Sequence, residues 1–101
     1  MSLRSVLVFK IEKLWDRFEE LIGEISDLLG NSNRDNSKLI NLAQELENIL
    51  TTLCEDHNDH EACKILDIFY DVVGNLDDLD EDIVDTALQN FLVTLNETEE
   101  E

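Results

Sequence analysis

Apolar residues recur along most of the chain at the three- and four-residue spacing of an amphipathic α-helix. Polar turns divide this pattern into four segments, and the sequence has no proline and only 3 glycines to interrupt them. The pattern predicts helices over residues 3–29, 37–54, 59–73 and 79–95, followed by a frayed acidic tail over 96–101. Four amphipathic helices with short connections are typical of an antiparallel bundle with up-down-up-down topology. We therefore expect one all-α domain, a four-helix bundle.

Capping residues support the predicted boundaries. Asn36 or Ser37 can begin the second helix, because a short polar side chain accepts a hydrogen bond from a free backbone N–H. Asn58 and Asp78, each followed three residues later by Glu, have the spacing of a capping box for the third and fourth helices. Gly74 is expected to end the third helix.

The second predicted helix has the most regular apolar face. Its expected core positions are Leu39, Leu42, Ala43, Leu46, Ile49, Leu50 and Leu53. The first helix carries more apolar residues than one face can hold, since Val6, Val8 and Phe9 fall outside its main stripe. Surplus apolar surface of this kind often marks an interface. The sequence therefore leaves open a homodimer, with a monomer as the alternative.

Charge is large and unevenly distributed along the chain. The 25 acidic and 7 basic residues give a formal net charge of −18 at pH 7. Residues 65–101 contain 12 of the acids and neither Lys nor Arg. Such a surface repels nucleic acid and anionic lipid, and it attracts a basic partner. The sequence predicts a basic partner protein and argues against direct contact with nucleic acid or membrane.

Seven aspartates of the third and fourth predicted helices are the residues expected to meet this partner. They are Asp67, Asp71, Asp77, Asp78, Asp80, Asp82 and Asp85. In charge alone, a helical bundle of this kind resembles inhibitors, immunity proteins and nucleic-acid mimics, which present carboxylates on a rigid scaffold. The alternative interpretation is a solvated acidic face that serves solubility.

The two cysteines and two histidines of the chain lie in one ten-residue segment at a regular spacing of three. They are Cys54, His57, His60 and Cys63. On one continuous helix these side chains would diverge, but across a helical hairpin they could converge as a tetrahedral zinc site. A disulfide between Cys54 and Cys63 could close the same turn. The third interpretation is a polar turn with two free thiols and no cofactor.

The first ten residues contain an apolar run of only four and no small-residue cleavage site, and no apolar run approaches the ~20 residues of a membrane span. These features predict a cytoplasmic protein, and cysteines are usually reduced in that compartment. We therefore expect no membrane association.

Carboxylates on the first and third helices raise the question of a metal-dependent all-α nucleotide hydrolase. Enzymes of that class hold Mg²⁺ with an EExxE signature, whereas Glu20 and Glu24 are separated by three residues here. Helical geometry also directs Glu20, Glu24 and Asp27 away from the apolar stripe. The sequence thus favours a non-enzymatic interaction module. A small zinc-binding regulator is the alternative, and the hydrolase is the second alternative.

Overall fold

The computed structural model describes residues 3–31 and 35–99, with the side chains of 9–31 and 35–97. Four α-helices dominate it. They are α1 (Leu3–Leu29), α2 (Asn36–Asp56), α3 (His60–Val72) and α4 (Val84–Glu99). The helices pack against one another as a bundle, so the predicted all-α four-helix fold is confirmed.

Helix α2 is the centre of the bundle, because it packs against each of the other three helices. Its predicted apolar face is confirmed, since all seven expected core residues are buried. The rings of Phe69 in α3 and Phe91 in α4 are both fully buried and meet edge to face, with centroids 5.3 Å apart. This geometry adds to the contact energy of the buried rings. Helices α2, α3 and α4 thus share one closely packed core.

Helix α1 is less completely covered. It packs along α2 and, over a shorter length, against α4, and its described residues make no close backbone approach to α3. Phe18, Leu21 and Ile25 are buried, but the described side chains from residue 9 to residue 17 are all exposed or half-buried, and Phe9 is 58% exposed. Val6 and Val8, which the sequence places outside the main stripe, have side chains outside the described part of the chain. The bundle therefore leaves part of the α1 apolar face accessible.

The helix caps lie next to the positions predicted for two of the helices. Asp35 caps α2 by accepting a hydrogen bond from the backbone N–H of Ser37, so Asn36 is the first helical residue. Asp59 caps α3, and Asn58 instead adopts a left-handed conformation with φ of 52°. Asn tolerates that region better than most residues. The predicted cap is therefore wrong by one position. Asn58 forms the turn, and the next residue, Asp59, caps the helix.

The start of α4 also differs from the prediction. Two short 3-10 turns, Leu76–Asp78 and Glu81–Ile83, occupy the segment after Gly74. Asn75 and Asp80 each accept a hydrogen bond from the backbone N–H two residues on. These side-chain contacts compete with a continuous helix, and α4 begins at Val84. The helix then continues to Glu99, beyond the predicted end at residue 95, and residues 100–101 lie outside the description.

No helix within residues 3–31 and 35–99 is long and apolar enough to cross a membrane.

Candidate functional site

The predicted Cys/His segment forms the turn between α2 and α3. Cys54 in α2 and Cys63 in α3 are joined by a disulfide, and their Cα atoms lie 4.7 Å apart. His57 is the C-cap of α2, and His60 is the first residue of α3. Of the three states that the sequence left open for these residues, the structure therefore shows the disulfide. In this oxidised state neither sulfur is a thiolate, which is the form that zinc requires.

Metal coordination finds no further support in the described residues. Within residues 3–31 and 35–99, no three His, Cys, Asp or Glu side chains are grouped closely enough to hold a metal ion. Glu20 and Glu24 of α1 and Asp67 and Asp71 of α3 are all exposed. Among the described residues, the structure therefore gives no support for a magnesium site built from these four carboxylates.

A single carboxylate links α1 to the start of α3. Asp59 Oδ1 accepts hydrogen bonds from the backbone N–H groups of Glu61 at 3.0 Å and Ala62 at 3.2 Å. Its other oxygen, Oδ2, accepts a hydrogen bond of 2.9 Å from the indole Nε1 of Trp15. The indole also meets the ring of Phe18 edge to face, with centroids 5.2 Å apart. Trp15 is therefore held at a fixed place between two helices.

Trp15 is part of an open groove of about 590 Å³ between α1, α4 and the first turns of α3. The apolar lining consists of Trp15, Phe18, Ile22, Ile65, Leu92 and Leu95. Among these, Phe18 and Ile65 are buried, and the other four are half-buried. Half-buried apolar side chains that line a concave surface are a common feature of binding sites.

The polar lining of the groove is acidic. Glu19, Asp59 and Glu61 are its charged residues, and Ser26 and Asn96 complete it. Glu19 and Glu61 are exposed, and no described cation lies within ion-pair distance of either carboxylate. We call this site the acidic groove. The sequence alone does not reveal it, because its residues come from three helices and their proximity depends on how α1 packs. The one local signal is the position of Trp15 at the edge of the α1 apolar face.

The seven predicted partner-binding aspartates lie on α3, on the two 3-10 turns and at the start of α4. All are exposed except Asp85, which is half-buried. Asp80 caps the second turn. That turn also contacts the start of α2, where Asn36 Nδ2 donates to the Glu81 backbone oxygen at 2.9 Å and Ser37 Oγ hydrogen-bonds the Glu81 carboxylate at 3.0 Å. These contacts hold the acidic turns against the bundle.

Arg17 forms ion pairs with carboxylates of two helices. Arg17 in α1 binds Glu45 in α2 through two hydrogen bonds of 2.6 and 2.9 Å, and it contacts Glu20 at 2.9 Å. The guanidinium lowers the pKa of the Glu45 carboxyl group, and hydrogen bonding to Glu45 raises the pKa of Arg17. This bidentate pair joins α1 to α2. It lies outside both the acidic groove and the aspartate-rich turns.

Comparison with protein families, with curated proteins and with solved structures gave no match to this chain.

Proposed function

We propose that the protein is a non-enzymatic interaction module that binds a basic partner protein through the carboxylates of α3, the 3-10 turns and the start of α4. The observation that carries the proposal is the density of carboxylates over a part of the sequence that contains no basic residue. Residues 65–101 contain 12 acids and no Lys or Arg. Like charges crowded on one surface reduce stability by mutual repulsion. A basic partner would relieve that repulsion on binding.

The local structure supports a fixed charge pattern. Asp77 and Asp78 lie in one 3-10 turn and Asp82 in the next, and Asn75 and Asp80 cap these turns. None of Asp77, Asp78, Asp80 or Asp82 lies within ion-pair distance of a described cation. A partner therefore meets carboxylates whose backbone is already ordered, which reduces the entropy lost on binding. Inhibitors, immunity proteins and nucleic-acid mimics would use such a surface in the same way.

The test is a pull-down from a lysate of the native host at increasing salt, followed by identification of the captured proteins. We expect basic proteins that are released as salt rises, because screening weakens exposed charge pairs. Changing Asp77, Asp78, Asp80 and Asp82 to Asn should abolish capture. Asn preserves the side-chain shape and can still cap the second turn.

A matched control removes the same amount of charge elsewhere. Changing Glu12 and Glu24 to Gln, together with Asp16 and Asp27 to Asn, neutralises four exposed carboxylates of α1. This variant should capture the same proteins as the unchanged chain. Capture that is independent of salt, or equal loss in both variants, would contradict the proposal.

We propose a homodimer as the second binding property, since Phe9 is exposed and Ile11 and Leu14 are only half-buried on the same helix. A partner copy that covered these side chains would remove apolar surface from water. Sedimentation over a wide range of protein concentration tests this property. We expect the dimer to dissociate on dilution. Phe9→Ser should move this dissociation to higher protein concentration, and a monomer at all concentrations would contradict the proposal.

The zinc-binding alternative and the cytoplasmic location both depend on the reduced state of Cys54 and Cys63. Disulfides are rare in the cytoplasm, whereas zinc needs the free thiolates. Native mass spectrometry of freshly purified protein, with and without chelator and reductant, distinguishes the two states. A mass increment of one zinc lost on chelation would favour the regulator. A metal-free mass two protons short would favour the disulfide.

A further inference from the structure

The acidic groove remains open because α1 packs on α2 and α4 without closing against α3. In a fully packed bundle, side chains of neighbouring helices interdigitate and leave few voids. Here Trp15, Ile22, Leu92 and Leu95 remain partly accessible along one continuous channel. Exposure of these apolar side chains to water is unfavourable in free energy, and a second apolar surface packed on them would remove that exposure.

The length of the groove limits what fits it. Its lining on α1 extends from Trp15 to Ser26, which corresponds to about 16 Å at 1.5 Å per residue. Residues seven apart on one helical face are separated by about 10 Å. Two or three apolar side chains at the i, i+3 or i+4, and i+7 positions of a helix therefore match the groove. This pattern is the usual anchor set of a helix bound in an apolar groove.

The charge of the groove limits the partner further. Each charged residue that lines it, Glu19, Asp59 and Glu61, is acidic. Asp59 directs its oxygens to Trp15 and to the start of α3, but Glu19 and Glu61 are exposed and without a described cation. An anionic ligand would be repelled, whereas Lys or Arg beside an apolar anchor would be attracted. As the occupant of this acidic groove, a second copy of the chain is disfavoured relative to a basic partner, because it carries 25 acids against 7 basic residues.

We propose that the acidic groove binds a basic amphipathic helix of a partner protein. The apolar face of that helix lies on Trp15, Ile22, Leu92 and Leu95, and its Lys or Arg residues contact Glu19 and Glu61. This inference rests on the proposed function, which supplies a basic partner, and it adds a second contact surface away from the aspartate-rich turns. The turns attract positive charge in general, whereas the groove selects positive charge arranged around an apolar stripe.

Three synthetic peptides of about four helical turns test the inference. The first is amphipathic, with Leu and Phe at helical spacing on one face and Lys on the other. The second has the same composition in scrambled order, and the third is amphipathic with Gln in place of Lys. Fluorescence of Trp15 reports binding directly, because it is the single tryptophan of the chain. Calorimetry gives the affinity.

The expected result is tightest binding of the basic amphipathic peptide, with a change in Trp15 emission. The scrambled and Gln peptides should bind about tenfold or more weakly, since each lacks one of the two required features. The scrambled peptide should also leave Trp15 emission unchanged. If the basic amphipathic and scrambled peptides bind equally well, the inference is overturned, because charge alone then explains the binding.

Two pairs of protein variants locate the bound peptide. Glu19→Lys with Glu61→Lys reverses the charge of the groove, and Glu24→Lys with Glu55→Lys makes the same change at exposed positions outside it. Leu95→Ala shortens an apolar side chain of the groove, and Val93→Ala does so on the outer surface of α4. Only the first variant of each pair should weaken binding of the basic amphipathic peptide, with an increase in Kd of about tenfold. Circular dichroism establishes that all four variants fold.

The outcomes separate this inference from the proposed function. If the groove variants bind the peptide normally but the four Asp→Asn changes in the turns abolish lysate capture, the groove proposal fails and the proposed function stands. If no basic peptide binds and the lysate gives no salt-sensitive partner, both fail. If sedimentation shows self-association that the groove variants prevent, a second copy occupies the groove and the inference is overturned.

Discussion

The indole Nε1 of Trp15 donates a hydrogen bond of 2.9 Å to the carboxylate of Asp59, the residue that caps α3. The two residues are 44 positions apart in the chain. They connect α1 and α3, whose described backbones do not otherwise approach closely. The same carboxylate therefore accepts hydrogen bonds from backbone N–H groups in the first turn of α3 and positions the aromatic side chain of Trp15 in α1. Loss of that carboxylate should affect both.

Asp59→Ala should lower the free energy of unfolding by about 2 kcal/mol, the sum of a lost N-cap and a lost side-chain hydrogen bond. Asp59→Asn should cost less, because Asn is an equally good cap. Urea denaturation measures the free energy of unfolding of each variant. In a double-mutant cycle with Trp15→Phe, we expect a coupling of about 1 kcal/mol between the two residues. Additive effects of the two changes would show that the hydrogen bond contributes nothing.

Reduction of the Cys54–Cys63 disulfide should destabilise the protein. The bond closes a loop with a sequence separation of 9, and restricting the unfolded chain over such a loop contributes about 2 to 3 kcal/mol. Thermal unfolding with and without dithiothreitol measures the effect. The double variant Cys54→Ser with Cys63→Ser is the control, since it should resemble the reduced protein and not respond to reductant. Identical melting temperatures for oxidised and reduced protein would exclude a stabilising bond.

Much of the fold follows from the periodicity of the sequence, and α2 shows why. Each of its seven predicted core positions is buried, because a helix in the centre of a bundle packs its apolar face against its neighbours. The start of α4 shows the limit of that reasoning. Asp78 and Asp80 both have the chemistry of a cap, and the sequence does not say which of them acts as one or that 3-10 turns precede the α-helix. Local hydrogen bonds at Asn75 and Asp80 decide the matter.

The candidate sites could be predicted only in part. The spacing of Cys54 and Cys63 across a helical turn allowed three states, because proximity does not specify oxidation. The aspartates of the turns are visible as a run of like charge. The acidic groove was not predictable, since Trp15 and Leu95 are 80 residues apart in the sequence and share a surface only through the placement of α1 beside α4.

Alanine substitution at two glycines should change the free energy of unfolding in opposite directions. Gly74 has a φ of +82°, which an L-residue adopts at a cost of about 1 to 2 kcal/mol. Gly23 lies inside α1, where alanine is favoured over glycine by about 1 kcal/mol. A Cβ atom at either position would meet nothing within 4 Å, so backbone conformation alone determines the result. Urea denaturation should therefore show that Gly74→Ala destabilises and Gly23→Ala stabilises the protein.

The phenol of Tyr70 should ionise above its usual range. Partial burial raises its pKa above 10.0, and the carboxylate of Glu47 adds to this shift. A raised pKa in the folded state contributes stability below the unfolded pKa, and this contribution is lost as the pH rises through the folded value. Because the chain has a single tyrosine, absorbance near the phenolate band follows it directly. Glu47→Gln should shift the titration to lower pH, and an unchanged curve would exclude the carboxylate as a cause.

The bond between Cys54 and Cys63 also determines how the molecule carries a mechanical load. When the chain is pulled from its two ends, tension passes from one sulfur to the other and bypasses the residues between them. Those residues include Asp59, so tension along the chain reaches the hydrogen bond to Trp15 through α1 and not through the turn itself. With Cα atoms 4.7 Å apart, the oxidised chain should extend roughly 25 Å less than the reduced chain. The turn that supports the acidic groove is thus the segment of the protein that bears no force.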